Sequence, residues 1–342
     1  MVKYSIIIPT CHKEMIERCL KYIAELKQPK FEYEVIVIQN SSDENIKEIV
    51  DGYVSRIQNL RFCYESNLGI IHSRHRGIVE SNGEILCYLD DDSFVDKDWL
   101  VEIEKTFNEN VDAVLVGGNN LPLFETSPPK WLKYFWKETS YGKYLSELSL
   151  IDFYKNKMKI PAWFVFGCNF IIKKSVLLEY KGFNPDTYNQ DMIKYRGDGE
   201  TALSCKLNKS GHVAYFNPKI KIHHFVPKSR MTLEYFKKRG FCQGISDSFS
   251  NIRLENGFSY FSFEPNSNLL KKRLPIIQRK FKKHIRPLII KLDKIFNWQD
   301  YKTYMKIKSE YKESYMRGYE FHQNEVKNDS ELKHWVLKEN YL

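Results

Sequence analysis

Residues 84–92 read Glu-Ile-Leu-Cys-Tyr-Leu-Asp-Asp-Asp. A short, continuous apolar run cut off by charge predicts a strand buried on both faces. This one runs, without a turn residue, into three adjacent carboxylates, Asp90, Asp91 and Asp92. Such neighbours repel unless something positive lies between them. Alternate residues of an extended chain share a face, so Asp90 and Asp92 project together. A hard divalent cation, Mn2+ or Mg2+, takes one or two carboxylates and fills its other positions with phosphate oxygens and water. The competing reading is a solvated loop or a helix N-cap, since Asp96 and Asp98 follow.

Upstream, Tyr4–Ile8 is a β-branched run stopped by Pro9, and Met15, Ile16, Cys19, Leu20, Ile23 and Leu26 recur at helical spacing. Glu34–Ile38 is a second apolar strand that ends in the polar turn QNSSDEN. Ile46, Ile49, Val50 and Tyr53 mark a helix, Arg61–Tyr64 a strand and Ile70–Ser81 a helix. Downstream, Trp99–Phe107 reads as a helix and Ala113–Val116 as a strand ended by Gly117-Gly118. This alternation predicts an α/β fold with a mostly parallel sheet flanked by helices. In such sheets ligands bind beyond the carboxyl ends of the strands, here the turns after Ile8, Ile38 and Leu89.

From 119 to 160 prolines and aromatics crowd together, which reads as an irregular lid or insertion. Strand character is expected again over Ile160–Ile172, a helix over Thr201–Asn208, strands over His212–Phe216 and Ile220–His224, and a helix over Thr232–Ser246. The expected organisation is a domain over 1–247, divided at 118, then a Ser/Asn/Phe-rich connector over 248–268 and a basic helical region over 269–342. No internal repeat is visible.

The 342 residues carry 53 Lys plus Arg against 43 Asp plus Glu, a formal net charge of +10. Nine of those charges belong to residues 271–294, where ten basic residues meet one acid, Asp293. Apolar residues from Leu270 to Ile295 recur three or four apart, with Pro275 and Pro287 as caps or kinks. A basic amphipathic helix suits an anionic membrane surface, here through 269–296. The rival is a helix packed on the domain with a solvated cationic face, and no stacking platform or known module speaks for nucleic acid. No apolar run approaches the length of a membrane span. MVKYSIIIPT has no signal-peptide pattern, and the seven cysteines form no C-x-x-C pair. A reduced, cytoplasmic chain, peripheral on the inner face of the membrane if the tail binds there, is the expectation.

SIIIPT, EVIVIQNSSD, NLGIIHSRHRG and EILCYLDDDS, in this order, resemble the nucleotide-sugar half of inverting, GT-A-fold glycosyltransferases of family two. The resemblance covers roughly 220 residues and implies a metal-dependent transfer from a nucleoside-diphosphate sugar to a hydroxyl of a glycan or lipid-linked acceptor, in surface polysaccharide assembly. It implies donor contacts from Pro9, Thr10, Asn67, Gly69, Arg74, Asp90 and Asp91, and metal ligation by Asp92. Taken alone, Arg74 reads rather as a surface helix residue. The family's Asp after the second strand is replaced by Gln39, with Asn40 and Asp43 following. Gln carries both a donor and an acceptor, so it could still contact the base. His12 stands where the family has Asn, as a nucleotide contact or an ordinary loop residue.

In RGDGETALSCKL, Leu203 fixes a register that puts Glu200 on the family's catalytic carboxylate, with Asp198 two residues earlier. A carboxylate there would take the proton of the attacking hydroxyl, whereas acids at a helix N-terminus also serve the dipole. Gly167, Asn169 and the Gly182-Phe183 turn resemble acceptor-side elements, and Trp163 suits either a sugar face or the core. His223 and His224 resemble the family's histidine near the metal or diphosphate. Adjacent strand residues face opposite ways, so one of the two is expected to face the site. The rival enzyme class, nucleotidyltransferases, expects a Gly-rich basic loop after the first strand; PTCHKEM has no glycine. A non-catalytic sugar-nucleotide binder would not need Asp90, Asp92 and Glu200 together.

Overall fold

The computed structural model describes residues 2–41, 45–186, 190–258 and 296–342. Strand and helix alternate at first: β1 (Tyr4–Thr10), α1 (Lys13–Ile23), β2 (Tyr33–Gln39), α2 (Ile46–Asp51), β3 (Leu60–Tyr64), α3 (Ile70–Glu80) and β4 (Ile85–Leu89). Next come β5 (Ser93–Val95), α4 (Trp99–Glu109), β6 (Ala113–Gly117), β7 (Asn120–Phe124), β8 (Lys137–Glu138), β9 (Gly142–Leu145), β10 (Leu150–Phe153) and β11 (Met158–Ile160). The chain continues with β12 (Asn169–Lys173), α5 (Lys174–Glu179), α6 (Glu200–Lys209), β13 (Val213–Phe216), β14 (Ile222–Val226) and α7 (Leu233–Glu255). Two C-terminal helices follow, α8 (Trp298–Asn328) and α9 (Ser330–Val336).

The main sheet has the order β11-β13-β6-β12-β4-β1-β2-β3. β3, β2, β1 and β4 are parallel, and β12 lies antiparallel between β4 and β6. Successive strand residues feed opposite cores. Tyr4, Ile6 and Ile8 pack with Ile16, Leu20, Trp99 and Ile103 of α1 and α4. Ile7, Ile36, Leu86 and Tyr88 pack with Ile78, Leu177, Leu203 and Leu207 of α3, α5 and α6. A sheet covered on both faces explains why its strands read as unbroken apolar runs.

Three expectations are corrected. The stretch 119–160 supplies β7 to β10 of a second sheet, ordered β5-β14-β7-β10-β9-β8. These strands have five residues or fewer, too short to show a period. Residues 160–172 are not one strand: β11 ends at Ile160, Pro161 opens a 3-10 turn at Ala162–Phe164, and β12 starts at Asn169. Proline donates no ladder hydrogen bond, so the sheet is left there. Finally, α7 runs through 248–255, which were expected to be connector. Serine is a poor helix former, but Ser248 and Ser250 gain partners inside the fold, His322 and Asp198.

α8 lies along α7 at very short range. A Cβ at Gly244 would sit 2.0 Å from the Tyr315 carbonyl oxygen, and one at Gly318 2.0 Å from that of Phe241. Only residues without a side chain allow this approach. The basic stripe over 271–294, with Pro275 and Pro287, lies outside the described residues. Among the described residues no helix is long and apolar enough to cross a membrane.

Candidate active site

The carboxyl ends of β1, β2 and β4 open onto a cleft of about 770 Å3. Pro9, Thr10 and His12 line it from the first turn, Asn40 and Ser41 from the second, and all three aspartates from the fourth strand. Asn40 shapes one wall. Its Nδ2 donates to the carbonyls of Glu65 and Asn67, at 2.9 and 2.7 Å, and its Oδ1 accepts from the Gly69 amide at 2.8 Å. Leu68, Gly69 and Ile70 therefore face the cleft, whereas Asn67 is gripped through its backbone. Gln39 is buried and donates to the Ser41 carbonyl at 2.8 Å. It is not among the residues that line the cleft. Asp43 lies outside the described residues.

The three carboxylates take different partners. Asp91 accepts from the Thr10 hydroxyl at 2.7 Å. Burial, with Asp92 next to it, pushes its carboxyl up to about 7. Asp90 is also pushed up by burial, against the pull of Arg74, whose Nη2 is 3.6 Å away. Asp92 accepts from Arg230 Nη2 at 3.1 Å and has His224 Nε2 3.3 Å from its Oδ1. Burial opposes its ionisation, yet His224 and Arg230 hold it below the ordinary carboxylate range.

Arg74 is the hub. It is 4% exposed and lies among Asp90, Asp186 at 3.8 Å and Glu200 at 3.5 Å. Burial disfavours its charge, but Glu200, Asp90 and Asp186 outweigh that and hold it protonated. Phe183 packs against the guanidinium with its ring centre 5.5 Å away. Glu200 opens α6; its Oε1 accepts from the Gly167 amide at 3.0 Å while Oε2 faces Arg74. A Cβ on Gly167 would lie 2.6 Å from Arg74 Nη2 and 3.0 Å from Glu200. Glycine at 167 thus lets backbone, guanidinium and carboxylate converge.

On its other side Glu200 borders a smaller cavity of about 170 Å3 lined by Trp163, Phe166, Thr201, Ser204, Arg239 and Gln243, among others. Glu200 lines this cavity, and Arg74 joins it to Asp90, which lines the cleft.

Three expected site residues lie elsewhere. Asp198 accepts from Asn184 Nδ2 at 2.8 Å and from the Ser250 hydroxyl at 2.6 Å. It ties α6 to α7 and lines neither space. Asn169 is 1% exposed and joins Trp99 Nε1, Asn120 and the Ile220 carbonyl, so it organises the core under the site. His223 pairs with Asp96 at 3.1 Å, on the face of β14 opposite His224.

The residues fit a divalent cation at Asp92. His224 Nδ1 lies 3.0 Å from the Leu148 carbonyl, to which it must donate. Nε2 then faces Asp92 Oδ1, a buried oxygen, either as the N–H of an imidazolium or, unprotonated, as a lone pair. Two acceptors face to face need a proton or a metal ion as third party. No three His, Cys, Asp or Glu side chains converge among the described residues. Any metal there would draw the rest of its shell from water and ligand oxygens.

Arg230, Arg239 and Asp186 were not anticipated. Arg230 follows the histidines in VPKSRM, and Asp186 closes the turn that begins at Gly182. Neither carries a local signal, because tertiary packing decides where each side chain goes.

A sequence profile of glycosyl transferase family 2 matches residues 5–180. Glucosyl-dolichyl phosphate glucuronosyltransferase of Haloferax volcanii is 22% identical over 253 residues, 72% of this chain and 76% of that protein. Succinoglycan biosynthesis protein ExoM of Rhizobium meliloti is 23% identical over 241 residues, 69% of this chain and 71% of that protein. Among solved structures, the mannosyltransferase PcManGT from Pyrobaculum calidifontis, in complex with GDP-Man and Mn2+, has a TM-score of 0.55 and 16% identity. That match covers 93% of this chain and 86% of the other. The likeness is one of fold, the GT-A fold.

Proposed function

The chain belongs to glycosyl transferase family 2, and on that premise we propose an inverting, divalent-cation-dependent transfer of a hexosyl or N-acetylhexosaminyl group. The donor is a nucleoside-diphosphate sugar, and the acceptor is a hydroxyl of a glycan or lipid-linked glycan in surface polysaccharide assembly. One observation carries this reading. Glu200 lines a small cavity, and Arg74 couples it to Asp90 in a wide cleft that ends in aspartates.

The donor lies in the cleft, its sugar directed toward Asp90 and Arg74, and the acceptor enters from the cavity. Residues 1–118 hold the donor and 119–247 the acceptor. Glu200 takes the proton of the acceptor hydroxyl as its oxygen bonds to the anomeric carbon and the bond to the diphosphate breaks. The Gly167 amide and Arg74 fix the carboxylate's rotamer, so the base is oriented before substrate arrives. Attack from the face opposite the leaving group inverts the anomeric centre. Asp92 and His224 would hold the Mn2+ or Mg2+, which supplies Lewis-acid stabilisation of the leaving diphosphate. Arg230 adds a fixed positive charge beside them. The relative bound to GDP-Man and Mn2+ and the glucosyl-dolichyl phosphate relative support these donor and acceptor classes. A place at the cytoplasmic membrane face, reached through 269–296, accords with a lipid-linked acceptor.

The test is a panel of nucleotide-sugars scored for thermal stabilisation and donor hydrolysis with and without Mn2+. At least one donor should stabilise the protein only with metal. A panel with no metal-dependent response overturns the reading.

A further inference from the structure

The cavity beside Glu200 contains polar groups that the described residues leave unsatisfied. Arg239 reaches it from α7. Its Nε is sealed from solvent and makes no hydrogen bond. Among the described residues its guanidinium has no ion-pair partner, and Glu200, which lines the same cavity, is not one. An arginine stays protonated at any ordinary pH, and a charge taken out of water without a partner is costly. Ser204, 1% exposed, lines the same cavity, and its hydroxyl also has no partner. A serine inside a helix ordinarily bonds the carbonyl four residues back, and this one does not. Glu200 and Thr201 place the positive end of the α6 dipole at the same wall. Arg239, with Asp186 as a remoter acid but no ion pair among the described residues, an unpartnered hydroxyl and a helix N-terminus therefore border one small space.

We propose that this cavity binds an acceptor carrying an oxyanion, a phosphate or a carboxylate, close to the hydroxyl that is glycosylated. The inference rests on the transferase reading above, with Glu200 as base. Arg239 takes the oxyanion in paired hydrogen bonds, the fit that a planar guanidinium offers. Gln243 on α7 and Ser204 on α6 line the same cavity as further donors, and the hydroxyl is left to Glu200. A neutral acceptor would leave the half-buried Arg239 without an ion pair and its Nε unsatisfied, so the site selects against it.

The test uses the full chain in EDTA and ligand-observed NMR titration with glycerol 1-phosphate and with glucuronate. Glycerol and glucose serve as their neutral counterparts. Saturable binding of at least one oxyanion is expected, and whichever binds identifies phosphate or carboxylate as the group. Arg239→Gln should weaken that binding at least tenfold, and Arg239→Lys should restore part of it. Arg230→Gln, in the other cleft, should leave the probe bound. Ser204→Ala, a milder change, should weaken binding severalfold and guards against a misfolded Arg239 variant. Equal binding of the neutral probes, no binding of either oxyanion, or loss in Arg230→Gln in place of Arg239→Gln overturns the proposal. Metal-dependent donor stabilisation, measured on the same preparation, reports separately on the transferase reading.

Discussion

Glu200 holds one oxygen on a backbone amide and the other beside a guanidinium, so its replacement by the isosteric amide keeps the shape and removes the base. Glu200→Gln should retain donor binding in thermal-shift assays and lose transfer by roughly 10²–10⁴-fold. Gly167→Ala tests the convergence itself. The added methyl must displace Arg74 or Glu200, so transfer should fall at least tenfold while the circular dichroism spectrum is unchanged. Asp198 separates structure from catalysis. Burial pushes its carboxyl up to about 6, above the ordinary value near 4. The folded state therefore holds a proton that the unfolded state releases, and stability from this group falls as pH rises from about 4 to 6. Asp198→Asn should raise the melting temperature at pH 7 relative to wild type, lose that advantage by pH 4, and keep transfer. A collapse of transfer in that variant would return Asp198 to the chemistry. The carboxylates were legible in the sequence because strand ends and helix starts expose them. Arg239 was not, because an arginine in a long helix reads as surface until the cavity facing it is known. His223 and His224 are indistinguishable in sequence; only the strand register turns one of them toward Asp92.

At the scale of elements, the tight pairing of α7 and α8 depends on Gly240, Gly244 and Gly318. Gly244→Val pushes a branched side chain into the Tyr315 carbonyl, an overpacking change that typically costs about 1–3 kcal/mol or more. Its denaturation midpoint should drop, with loss of transfer following from the displacement of Arg239 on the same helix; an unchanged midpoint would contradict the close approach. Strands β1, β2 and β4 were readable because burial on both faces fills their middles with apolar residues, the buried polar ones, Ser5, Thr10, Glu34 and Gln39, lying toward the strand ends. The second sheet was not, since its short strands lie among prolines and aromatics and gain their pairing from β14 and β5 far away in sequence. The serines of α7 misled for a related reason: their partners come from α8 and from the loop before α6.

For the molecule as a whole, the C-terminal residues brace the site. Arg253, 1% exposed, donates from Nη1 to the carbonyls of Val336 and Lys338 at 2.6 and 2.7 Å. His75, the neighbour of Arg74 on α3, accepts from the Phe183 amide at Nε2, so its proton is on Nδ1 and goes to the Tyr341 carbonyl at 2.9 Å. Burial pushes His75 down to about 4, and His322 on α8 likewise. Both stay neutral in the fold but take protons when unfolded. Stability is then fully present above about pH 6.5 and is lost as pH falls toward 4, by about 1.4 kcal/mol per pH unit for each. Chemical denaturation at pH 7.0 and 5.0 should register this, and His322→Asn should flatten the difference; an equal pH response in that variant would exclude His322 as a source. The long reach from His75 to residue 341 also bears on synthesis. A ribosome delivers the first strands of the main sheet early, and domains begin to fold as they emerge. The strands that carry the aspartates are complete some 250 residues before the acceptor for His75 exists. A nascent chain would thus display the cleft while the helix bearing Arg74 still lacked the contact between His75 and Tyr341.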